Sequence, residues 1–161
     1  MIEYLPIVLT GIGLMASILY YASILRNANR TQRMQLETRQ VQLFMNIDAT
    51  RGSPEFQKLF YRVTYMDEWK DIDDYFTKYG PENNLDAYSE HSFIWGRCDT
   101  LGFLLKKNVI DLSYFDDLLK ASVLAAWNKF EPVINATRER ANQPNLWNQF
   151  EYLANEIRNT H

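Results

Sequence analysis

His91 and Cys98 are the residues whose types most invite a metal or nucleophile reading, being the only internal histidine and cysteine in the chain. They stand seven positions apart in a stretch of helical periodicity, and two helical turns separate their Cα atoms by about 10 Å. That is too far for both side chains to ligate one zinc at about 2 Å each, or to act as nucleophile and base within hydrogen-bond reach. His91 is therefore expected at the surface or the core edge, and Cys98 as a small buried hydrophobe. Asp71-Ile72-Asp73-Asp74, with Glu82 at the twelfth position from Asp71, has the outline of a calcium loop. Tyr75 and Phe76, however, fall where that loop needs an oxygen ligand and a turn glycine. Carboxylates opening a helix, where its dipole favours them, account better for the run. A di-metal helix bundle would want Glu-x-x-His, but Glu90 and His91 are adjacent. Neither a Gly-x-x-x-x-Gly-Lys loop nor a Gly-x-Ser-x-Gly elbow occurs. No catalytic, cofactor-binding or metal-binding residue is expected. The one candidate polar pocket is Tyr88, Ser92, Trp95 and Asp99, which share a helical stripe, together with Trp127.

The element that most constrains the rest is Leu5–Leu25, about 21 residues without a side chain charged at pH 7. As a helix it would be about 32 Å long, matching the hydrocarbon core of a bilayer. Tyr4, Tyr20 and Tyr21 fall at headgroup level. A buried core helix and a cleaved signal peptide are the alternatives. Core helices rarely stay uncharged on every face for so long, and a signal peptide would want a basic start and a small-x-small cleavage site, where this chain has Glu3 and Tyr20-Tyr21-Ala22-Ser23. Arg26, Arg30, Arg33 and Arg39 follow the apolar run and no Lys or Arg precedes it. The positive-inside bias then places the N-terminus outside and the C-terminal domain in the cytoplasm of a single-pass membrane protein. Gly13 and Ser17, with Ala16 beside them, form a small-x-x-x-small pair that would allow a lateral helix contact in the membrane.

The expected organisation is a short extracytoplasmic N-terminus at 1–3, a transmembrane helix at 4–25, a helical stem at 26–50 and a cytoplasmic helical domain at 51–161. Leu36, Leu43, Phe44 and Ile47 share one face of the stem, so its second half should pack on something. Arg51-Gly52-Ser53-Pro54-Glu55 combines a glycine stop with a Ser N-cap and a Pro at the first helical position. Further helices are predicted from Ile72 to Gly80, from Leu85 to about Lys107 with two apolar sides, from about Tyr114 through Pro132, and from Asn142-Gln143-Pro144 onward. No strand-like alternation appears, and the fold class is all-α. A net charge of −3 argues against a nucleic-acid partner; anionic lipid is the nearer partner for the basic juxtamembrane segment.

The anchor running into Thr31-Gln32-Arg33-Met34-Gln35-Leu36-Glu37, then Ser53-Pro54-Glu55-Phe56, then Trp127 with Glu131-Pro132-Val133-Ile134 and Trp147 with Phe150-Glu151-Tyr152-Leu153-Ala154, resembles an uncharacterised prokaryotic family, domain of unknown function 4760. The resemblance covers nearly the whole chain and implies the architecture, bringing no activity or catalytic residue with it. The residues themselves point to a non-enzymatic accessory, scaffolding or regulatory subunit of a membrane-associated assembly. Its partners would be membrane lipid and a protein or second copy meeting the anchor or stem, with no cofactor. The alternative is a membrane-tethered sensor or enzyme with a ligand pocket in the helical domain.

Overall fold

A computed structural model describes residues 4–160; the expected extracytoplasmic residues 1–3 lie outside the described part. The described residues form six α-helices joined by short turns, with no strand among them. The first helix, α1, runs unbroken from Leu5 to Asp48. The chain divides into two units, the first ending at Gln42 and the second beginning at Leu43.

In the first unit the apolar stretch of α1 is uncovered: Ile7, Leu9, Ile12, Met15 and Leu19 are all exposed. Alanine, serine and glycine interrupt the large side chains, and Ser17 Oγ donates to Gly13 O (2.8 Å) inside the helix. Gly13, Ala16 and Ser17 are exposed, as are Arg26, Arg30, Arg33 and Arg39. Among the described residues α1 is the one helix long and apolar enough to cross a membrane, a property that an anchor and a signal sequence share.

The second unit starts within the last turns of α1, several residues before the predicted boundary at 51. Phe44 is buried in its core against Tyr114 and Phe115 (5.9 and 5.4 Å between ring centroids), and Ile47 packs on the same cluster. Helix α1 then tightens into a 3₁₀ turn, Ala49–Gly52. Gly52 is not the left-handed stop that its type suggests, since no glycine here has positive φ; Arg51 folds back onto Asp48 (2.6 Å) instead. Helix α2, Pro54–Tyr61, begins as expected, with Ser53 Oγ accepting from Phe56 N (3.1 Å). It widens into a π turn at Arg62–Met66, closed by Asp67 N donating to Arg62 O (2.9 Å). Helix α3, Ile72–Tyr79, is capped by Asp71, and α4, Leu85–Lys106, by Asn84.

Helices α5, Asp117–Ala141, and α6, Asn148–Asn159, both begin later than the sequence predicts. Asp111 caps only a 3₁₀ turn, and Asp116 is the N-cap of α5, accepting from Leu119 N (2.6 Å). Pro132 lies inside α5 without ending it. Asn142, in the left-handed region (φ 51°), terminates α5, and Arg138 Nε holds the following loop through Leu146 O (2.8 Å).

The start of α6 is set by α4. Its N-cap position is Trp147, also left-handed (φ 51°) and offering no capping side chain. Asp99 Oδ1 supplies the missing acceptor, taking Gln149 N (2.9 Å) and Phe150 N (3.1 Å). One turn on, Gly102 lets the two backbones meet: a Cβ there would fall 1.9 Å from Gln149 O. The core around this contact is largely aromatic. Trp95 is fully buried, edge-on to Trp147 (4.9 Å) and Phe130 (5.3 Å), and Trp127 meets Phe150 (5.0 Å).

Candidate functional site

Of the five residues expected to line a polar pocket, Trp95 Nε1 and Ser92 Oγ are enclosed without a hydrogen-bond partner among the described residues. Trp95 and Trp127 are buried, Tyr88 is half-buried with its ring against the edge of Trp95 (6.0 Å), Ser92 lies one turn along α4, and Asp99 caps α6. The sequence predicts two apolar sides on α4, and the buried face takes Trp95 from the stripe through Tyr88 together with His91, Ile94, Cys98, Leu101 and Gly102.

His91 departs from expectation in being fully buried rather than at the surface or core edge. Both ring nitrogens are engaged: Nδ1 with Tyr75 Oη and Nε2 with Asp67 Oδ2, each at 2.9 Å. A carboxylate can only accept, so Nε2 carries the proton and Nδ1 accepts from the tyrosine hydroxyl. Burial lowers the histidine pKa, outweighing the opposing bond to Asp67. The ring is therefore neutral at pH 7, and its contact with Asp67 is a hydrogen bond rather than an ion pair. Burial also raises the Tyr75 pKa. Lys129 Nζ lies over the Trp69 ring (4.8 Å) and donates to Val63 O (2.9 Å) and Asp67 O (2.6 Å), holding the end of the π turn. A buried imidazole with both nitrogens satisfied has no lone pair left for a metal or a substrate proton. The signal that could have located it is its i, i+4, i+7 relation to Trp95 and Cys98.

The acidic run behaves as helix-opening carboxylates. Asp71 accepts from Asp74 N (2.8 Å), and Asp74 takes Lys70 N (2.9 Å) and Lys78 Nζ (2.8 Å). The bond from Lys78 is the main cause of the lowered Asp74 pKa. Among the described residues no group of His, Cys, Asp and Glu is placed to hold a metal.

Elsewhere in the second unit lies a cleft of about 570 Å³. Aromatic residues of α2 and the π turn, Phe56, Phe60, Tyr61 and Tyr65, line one part. They recur at i+4, which brings Phe60 within 6.2 Å of Phe56 and Tyr65 within 5.6 Å of Tyr61. The first turns of α5 add Leu118, Leu119, Ala121, Ser122 and Val123, and α4 adds Ile94, Arg97, Cys98 and Leu101. None of the five predicted pocket residues is among them. Burial pushes the Cys98 thiol up to about 12, so it stays protonated and unreactive.

Two arginines give the cleft its polarity. Arg51 is held by Asp48 and by Asp116 (2.9 Å), and these bonds raise its pKa, Asp48 contributing most. The same pairing lowers the Asp116 pKa. Arg97 is half-buried, its guanidinium 5.5 Å from the Phe56 ring centroid and 5.9 Å from that of Phe93, and it donates to Ile47 O. Apolar walls with a few convergent polar groups, in a volume of several hundred cubic ångströms, are the usual makeup of a binding site. Sequence reasoning missed it because its lining comes from three separated stretches, 47–65, 94–101 and 116–123.

No curated protein and no solved structure matches the chain. One family model does, that of the domain of unknown function DUF4760, over residues 7–157. The match runs from the first turn of α1 to the last turn of α6, and the chain belongs to the DUF4760 family.

Proposed function

We propose that the protein is a single-span, membrane-anchored binding protein, a non-enzymatic accessory or regulatory subunit whose compact domain lies in the cytoplasm and takes up an apolar group in the cleft lined by α2, α4 and α5. The observation that carries this reading is the cleft itself, which leaves Tyr61, Tyr65 and Leu118 exposed beside buried Leu119 and Val123. Exposed aromatic and aliphatic side chains around a concave surface are the mark of a recognition site. Support for anchoring is the uncovered apolar stretch of α1 followed by Arg26, Arg30, Arg33 and Arg39. The alternative, a membrane-tethered sensor with a ligand pocket in the helical domain, is served by the same cleft and differs in whether occupancy is reported to a partner.

The test uses Ser122→Cys in a Cys98→Ala background, which puts a single thiol on the cleft wall. In native membranes, where the natural occupant is present, it should react with a membrane-permeant maleimide several-fold more slowly than in the purified full chain in lipid nanodiscs. Equal rates in both settings would remove the cleft as the site of action.

A further inference from the structure

Building on the reading of the cleft as a binding site, we propose that its occupant is a free long-chain carboxylate, whose head group meets Arg97 and whose chain lies along Phe56, Phe60, Leu119 and Val123. Arg97 carries the argument. It lines the cleft, and among the described residues no carboxylate lies within ion-pairing distance of it. Its one hydrogen bond goes to the neutral carbonyl of Ile47, leaving other N–H groups of the fork unbonded and not enclosed. The second cation of the cleft, Arg51, already occupies both nearby carboxylates, Asp48 and Asp116. Spare donors that face the cleft with no protein counterion are open to an anion, and a carboxylate fits the fork geometry of a guanidinium.

Charge and size narrow the class further. With Asp48 and Asp116 on the same lining, a dianionic phosphate would meet more repulsion than a monoanion. A helix about 11 Å across with a pitch of 5.4 Å fills roughly 500 Å³ per turn. The cleft, at about 570 Å³, thus seats little more than one turn, whereas helix-in-groove docking spreads its anchors over two or three. A flexible acyl chain has no such requirement, and a membrane-anchored protein would meet it at high local concentration.

The experiment is photolabelling of the full chain in phosphatidylcholine nanodiscs with a diazirine-bearing palmitic acid, the labelled residues being read by mass spectrometry. Label is expected within residues 56–65 and 118–123, and Arg97→Gln, which keeps a donor for Ile47 O, should cut it at least about tenfold. Label in the apolar stretch of α1 should stay unchanged in that variant and serve as the internal control. The methyl ester of the same probe should label α1 and spare the cleft. A second variant, Ala121→Trp, fills the cleft from an exposed position and should abolish the cleft label while melting like the wild type. Cleft label that survives Arg97→Gln, or that the ester reproduces, overturns the proposal, and so does label confined to α1. If the thiol introduced at position 122 is shielded in native membranes yet the acid fails to label, the cleft remains a binding site and the carboxylate is refuted.

Discussion

The second unit contains two aromatic clusters built around a basic side chain, and they differ in saturation. Around His91, the rings of Tyr75, Tyr79, Trp95 and Phe130 pack within 5.1–6.2 Å of the imidazole, and each nitrogen has a partner. Around Arg97, Phe56 and Phe93 flank a guanidinium with a single hydrogen bond, and the neighbouring tyrosines are exposed. A closed cluster around an imidazole with both nitrogens bonded stabilises the fold and leaves that imidazole nothing to offer a ligand. An open one with unused donors contributes less to folding and more to recognition. Residue types do not separate the two cases; the state of the hydrogen bonds does.

The sharpest way to break this contrast compares two tyrosines. Tyr75 is fully buried and Tyr65 is 56 % exposed. Tyr75→Ala opens a cavity and strips Nδ1 of His91, which should cost about 3–5 kcal/mol of unfolding free energy. Tyr65→Ala should stay within about 0.5 kcal/mol. Denaturant titrations followed by circular dichroism read both, and similar costs would mean that the cleft is part of the core. A smaller loss, about 3 kcal/mol, should separate a fragment beginning at Leu43 from one beginning at Thr50, because the shorter piece lacks Phe44 and Ile47. Equal stability of the two would return the boundary to the position that the sequence suggests.

Asp99→Ala should cost about 1–2 kcal/mol through the lost cap of α6. Hydrogen exchange should then rise first at the amides of Gln149 and Phe150, and unchanged protection there would show that Asp99 is dispensable. The smallest effect is in pH dependence. Because burial lowers the His91 pKa from 6.5, the unfolded chain binds a proton that the folded one resists. Stability is thus complete above about pH 6.5 and falls as pH drops below it, by at most about 1.4 kcal/mol per unit for one proton. His91→Gln should flatten that segment of the profile; an unaltered slope would assign it to another group.

The reading of the chain as a long apolar helix followed by an all-α domain needed only residue types and spacing. Local signals also placed several helix starts, since Ser53, Asp71 and Asn84 each cap an amide three residues away. Asp111 shows the limit of that logic. It and Asp116 are both acceptors beside an apolar run, each caps something, and only packing decides which opens the long helix.

What the sequence by itself determined is therefore whatever depends on neighbours within a turn: helical periodicity, near caps, and an apolar stretch long enough to span a bilayer. Tertiary structure alone decided the cap of α6, given by Asp99 from about fifty residues earlier. It also decided the burial of His91 between Asp67 and Tyr75, and the gathering of Phe56, Arg97 and Leu119 around one cleft. The physical reason is that a hydrogen bond or a cavity wall is satisfied by whichever group arrives in space, and a sequence pattern records only which groups lie nearby along the chain.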